Sequence, residues 1–171
     1  MDRKMFRRMV ATLAVVPLLA ALAVGCRPAP HAILAVERNR TGGAGVLIAP
    51  CADYDVVHLS VFSHEAGKVD LSRWAIINDA MRGSLAELEL FSVPQGWSVT
   101  EDTLQGVAGG GEYTVTIDGS VRGRGLDGEL SFAADQLASL KPGEVLVDGD
   151  GGAKAVPRSK FVNAKSGRCE P

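Results

Sequence analysis

From residue 32 onward the apolar residues of this chain recur at every second position, in short runs cut by glycine-rich turns. A period of two is that of an extended strand, whose side chains alternate between two faces. The clearest run is Val56-Val57-His58-Leu59-Ser60-Val61-Phe62-Ser63, with Val57, Leu59 and Val61 on one face and Val56, His58, Ser60 and Phe62 on the other. Residues 85–91 send Leu88 and Leu90 inward and Glu87 and Glu89 outward, and residues 112–117 group Tyr113, Val115 and Ile117. Further strands are expected at 32–37, 46–49, 74–77, 97–104, 128–132 and 144–147. Turn signals separate them: Thr41-Gly42-Gly43, Pro94-Gln95-Gly96, Gly109-Gly110-Gly111, Asp118-Gly119, Lys141-Pro142-Gly143 and Asp148-Gly149. In the Val93–Trp97 segment, Pro94 and Gly96 suit positions i+1 and i+3 of a type I turn. Only Ala133–Leu140 reads as a helix, and a short turn near Ser159–Ala164 would put Phe161 on the core.

Many short strands with little helix predict an all-β chain, a single β-sandwich of immunoglobulin-like or related type with one short helix. A small β-barrel is the alternative. No strand–helix–strand alternation supports an α/β sheet, and no internal repeat or interior linker divides residues 31–171, which are read as one domain.

The N-terminus is of another kind. Four cations fall within residues 1–8, and Met9 to Val24 is then uncharged and apolar. That run is shorter than the ~20 residues of a membrane-spanning helix and contains Pro17. A basic start, a short apolar core and small residues at its end form an export signal. It closes on Leu22-Ala23-Val24-Gly25-Cys26. This resembles the lipobox of bacterial lipoproteins, with Ala23 where a leucine is most common. The resemblance implies cleavage after Gly25 and a diacylglyceryl group on the Cys26 thiol; ordinary cleavage after Ala21-Leu22-Ala23 is the alternative. It makes residues 1–25 a lipoprotein signal peptide and 26–30 a tether, stiffened by Pro28 and Pro30.

The cysteines number three: Cys26, Cys51 and Cys169. If lipid occupies Cys26, the other two can pair in an oxidising compartment; two separate buried thiols are the other reading. Without the leader the chain holds 14 basic and 19 acidic side chains and no run of like charge. That gives no nucleic acid a basic patch to bind.

Sequence motifs for chemistry are sparse. His58 and His64 fall on one strand face but ~20 Å apart, too far to share a metal. Asp148-Gly149-Asp150-Gly151-Gly152 lacks the closing glutamate of a calcium loop and reads as a hairpin turn. Glu87 and Glu89 read as a solvated strand face. Trp74 and Trp97 read as sandwich packing, with an exposed ligand platform as the other option. Arg122-Gly123-Arg124 reads as a solvated loop, with a phospholipid contact as its alternative. No catalytic residue, cofactor site or metal site is assigned.

Val46-Leu47-Ile48-Ala49-Pro50-Cys51, Trp74-Ala75-Ile76, Val93-Pro94-Gln95-Gly96-Trp97, and Phe161 ahead of Cys169 give the mature chain a loose similarity to small lipoproteins of high-GC Gram-positive bacteria. That resemblance implies location and a sandwich-like domain but no activity. The expectation is a module on the extracytoplasmic face of the cell membrane, anchored through Cys26. It would bind or assist an envelope protein by contact, possible blocking of such a partner included. The alternative is a small envelope enzyme with a dispersed site around His58 or His64 and nearby carboxylates.

Overall fold

The computed structural model describes residues 32–39, 42–64, 72–164 and 169–170. The leader, Cys26 and the tether lie outside these. The described residues form eleven strands in two antiparallel sheets that pack face to face. One sheet carries β1 (Leu34–Arg38), β2 (Ala44–Ile48), β5 (Glu87–Glu89), β10 (Glu144–Val147) and β11 (Lys154–Pro157), in the order β11-β10-β1-β2-β5. The other carries β3 (Tyr54–His64), β4 (Arg73–Asn78), β6 (Trp97–Asp102), β7 (Glu112–Val121), β8 (Arg124–Gly125) and β9 (Gly128–Ala133). Its order is β6-β4-β3-β7-β8, with β9 also on β7. The protein is an all-β sandwich; the two sheets do not close into a barrel.

The core is the sum of the inward halves of these strands. Leu59 and Val61 of β3, Trp74 and Ile76 of β4, Tyr113, Val115 and Ile117 of β7, and Leu130 and Phe132 of β9 meet Leu34, Val36, Val46 and Leu146 of the other sheet. The period-two parity of β3 breaks once. Val57 is an extra residue between Val56, paired with Gly119, and His58, paired with Asp118. This β-bulge moves Tyr54 and Val56 into the core and leaves Val57 half-buried, the reverse of what unbroken alternation predicts.

The described residues hold two helices where one was expected: α1 (Ala134–Ala138) and α2 (Arg158–Val162). Each has five residues, too short to persist without packing. Leu137 and Leu140 anchor the first segment and Phe161 the second. The turn at residues 94–97 is set one place later than the proline suggests. The Pro94 carbonyl accepts from Trp97 N–H at 3.2 Å, and Gly96 takes a positive φ of 81°. Proline therefore stands first in the turn and glycine third, the position that requires positive φ in a type II turn. Cys51 and Cys169 are joined by a disulfide, with Cα atoms 5.4 Å apart across 118 residues.

Candidate functional site

The same parity that fills the core assembles the opposite face of the β6-β4-β3-β7 sheet. On β3 it brings out His58, Ser60, Phe62 and His64; on β7, Glu112, Thr114, Thr116 and Asp118; on β9, Glu129 and Ser131; on β4, Arg73. Strand pairing lines these residues up in rows. Arg73, Phe62, Thr114 and Ser131 are successive cross-strand partners. Ser60, Thr116 and Glu129 form the next row. His58 with Asp118 and His64 with Glu112 flank them.

Side-chain hydrogen bonds fix this face. Arg73 donates from Nη1 to Glu101 Oε1 at 2.9 Å and from Nη2 to Ser60 Oγ at 3.5 Å, while its guanidinium carbon lies 4.5 Å from the Phe62 ring centroid. A cation over an aromatic face is attracted by the ring quadrupole. The Ser60 and Thr116 hydroxyls meet at 2.8 Å. His58 Nδ1 and Asp118 Oδ2 are 2.9 Å apart, so the carboxylate sets the ring's orientation. No hydroxyl among the described residues is hydrogen-bonded to His58 Nε2, so the pair has no nucleophile beside it there.

At the other end of β3, His64 Nε2 lies 2.9 Å from Thr114 Oγ1, which lies 2.7 Å from Ser131 Oγ. With His64 as acceptor, Thr114 can donate to it while accepting from Ser131, a short proton relay. The relay borders a cleft of about 630 Å³ that is also lined by Glu112, Glu129 and Gln136.

The remaining sequence candidates are placed as follows. Both histidines share the outer face, separated along β3. Glu87 and Glu89 point outward on β5 but are engaged: Glu87 Oε2 accepts from Arg158 Nη2 at 2.9 Å and Glu89 Oε1 from Asn39 Nδ2 at 2.7 Å. Arg158 also donates from Nε to Glu37 at 3.0 Å, tying α2 to β1 and β5. Trp74 is buried with its ring 5.4 Å from Phe91, so the two tryptophans do not form an exposed platform. The Asp148–Gly152 segment is the β10–β11 hairpin loop, with positive φ at Gly151 and Gly152. Arg122 lies in the β7–β8 turn and Arg124 opens β8, and Arg122 pairs with Asp53 at 3.7 Å on the exposed surface.

Arg73, Phe62, Thr114, Ser131 and Asp118 were not singled out from sequence. Their parity was visible on each strand; what was missing was the order that sets β4, β3, β7 and β9 side by side. Among the described residues no three histidine, cysteine or carboxylate side chains come together to hold a metal. No helix there is long and apolar enough to cross a membrane.

The class that fold and site define is a disulfide-bonded β-sandwich with an ordered polar face on one sheet. No protein-family model matches the chain, and no curated protein and no solved structure matches it either.

Proposed function

We propose that the protein is a lipoprotein anchored by a diacylglyceryl group on Cys26 to the extracytoplasmic face of the cell membrane, and that it works by contact with an envelope protein. The observation that carries this reading is the cysteine balance. Cys51 and Cys169 are bonded to each other, which leaves Cys26 as the odd thiol at the end of an apolar leader. A bridge of this kind also belongs to an oxidising compartment.

The polar face of the β6-β4-β3-β7 sheet is the contact surface in this reading. Arginine and aromatic residues dominate the energetics of protein interfaces when their geometry is fixed in advance. Arg73, held by Glu101 and Ser60 above Phe62, has that arrangement. Two measurements test it. Intact mass of protein from host membranes should correspond to a chain starting at Cys26 plus lipid; a species starting at Met1 in the cytosol overturns the anchor. Crosslinking on intact membranes should recover one envelope protein with the native chain and lose it with Arg73→Glu or Cys26→Ala. Equal recovery with Arg73→Glu overturns the choice of face.

A second reading has one specific observation behind it, the His64–Thr114–Ser131 relay beside its cleft. It makes the protein a small envelope hydrolase in which the Ser131 oxygen attacks an ester or amide carbonyl, its proton passes through Thr114 to His64 and on to the departing alcohol or amine, and water then releases the acyl group from Ser131. Turnover by the Cys26→Ala chain, lost in both Ser131→Ala and His64→Ala, would establish it in place of the contact role.

A further inference from the structure

Charge is distributed unevenly along the mature chain. Residues 151–169 hold Lys154, Arg158, Lys160, Lys165 and Arg168 and no carboxylate, whereas residues 26–150 hold 9 basic and 18 acidic side chains. Lys165 and Arg168 lie outside the described residues, and Arg158 is held by Glu37 and Glu87. Lys154 and Lys160 are exposed and form no ion pair among the described residues. Together with Ala32 they line a depression of about 250 Å³ floored by Val147, Val156 and Phe161, with the single carboxylate of Asp148 at its edge.

Ala32 is where the chain from Cys26 enters the domain. The disulfide holds the C-terminal segment beside this entry. Ala49 N–H donates to the Ile33 carbonyl at 2.8 Å, Cys51 follows two residues later, and Cys169 is bonded to it. From Cys26 to Ala32 is six residues, at most ~19 Å in the extended form that Pro28 and Pro30 favour. A lysine side chain at the entry point can therefore reach the layer of lipid headgroups.

We infer that the depression around Ala32, with Lys154 and Lys160 on its rim, is a contact surface for an anionic lipid membrane that sets the orientation of the domain on its anchor. The inference rests on the lipid-anchor reading for its geometry. The chemistry is two ammonium groups, without an ion pair among the described residues, around an apolar floor, matched to phosphate headgroups above acyl chains. Attraction of this kind is screened by salt. Lys141 provides an internal reference, since it lies at the Arg38 end of β1, some six residues or ~20 Å of strand from Ala32.

The test couples the mature chain, disulfide intact, through Cys26 to a maleimide lipid in vesicles. The vesicles are phosphatidylcholine alone or phosphatidylcholine mixed with phosphatidylglycerol. Amine-reactive labelling is then read at each lysine by peptide mass spectrometry. Lys154 and Lys160 should be protected several-fold relative to Lys141 on the phosphatidylglycerol vesicles. That protection should vanish at high salt, on phosphatidylcholine alone, and at Lys160 in the Lys154→Glu chain. Equal labelling of all three lysines on both vesicles overturns the inference, as does protection that phosphatidylcholine alone reproduces. Because the anchor here is chemical, failure of native lipidation shows only in the intact-mass measurement and leaves this result standing or falling by itself.

Discussion

A Cβ at Gly119 would lie 2.5 Å from the Asp55 carbonyl oxygen and 2.5 Å from the Tyr54 ring. Glycine is required there because β7 passes directly under the ring that the β3 bulge has turned inward. Gly119→Ala should cost ~1–3 kcal/mol by overpacking, read as a lower denaturant midpoint; no change would mean that the Tyr54 ring and the Asp55 backbone both give way freely. Tyr54 itself donates to the Leu126 carbonyl at 2.9 Å. Burial pushes its phenol well above the usual tyrosine range, and the charges of Asp127 and Asp118 push the same way. The stability linked to this group is complete below the unfolded-state value near ~10. Above that, the unfolded chain loses the proton while the folded chain keeps it, so the unfolded state binds fewer protons and stability falls as pH rises. Urea unfolding at about pH 8 and about pH 11 should show a loss in the native chain that Tyr54→Phe reduces. An equal loss in both would assign the alkaline effect to other groups.

At the scale of elements, β4, β7, β9 and β10 were legible to within a few residues: β7 and β9 alternate apolar with polar residues, β4 and β10 are short apolar runs, and glycine turns border β7, β9 and β10. The two-residue β8 and the four-residue β11 were not expected. Arg124-Gly125 and Lys154-Ala155-Val156-Pro157 have too few apolar residues to show a period; they are strands because β7 and β10 offer them unpaired backbone. The C-terminal segment is held by Phe161 in the core, by Arg158 on Glu37 and Glu87, and by Cys169 on Cys51. Closing a loop of 118 residues restricts the unfolded chain, by ~4–5 kcal/mol in chain-entropy models. The Cys51→Ser, Cys169→Ser pair should lower the thermal midpoint and speed amide exchange in α2 first. Unchanged exchange in α2 would show that Phe161 and the Arg158 ion pairs hold it without the bridge.

At the scale of the whole molecule, the two faces of one sheet carry different burdens. Inward residues are judged by volume, and Leu59→Ala should cost ~2–5 kcal/mol. Outward residues are judged by what approaches them. The Arg73–Glu101 pair is partly exposed, so Arg73→Ala should change stability by less than ~1 kcal/mol while removing partner recovery on membranes. A large stability loss with recovery intact would make Arg73 a structural residue.

The chain's own pattern was enough for the all-β class, for the parity of most strands, for the buried Phe161 and for the pairing of Cys51 with Cys169 once Cys26 is set aside. These follow from local rules: a pleated strand alternates its faces, a turn selects its residues, and an odd number of thiols leaves one over. The tertiary structure alone decided that Arg73 stands over Phe62, that His58 meets Asp118, and that Thr114 links His64 to Ser131. It also decided that Lys154 and Lys160 stand beside the chain's point of entry. Each of those contacts joins residues from different strands or from distant parts of the chain. Strand order and the β3 bulge set them, and both come from packing the two sheets together, which no local period records.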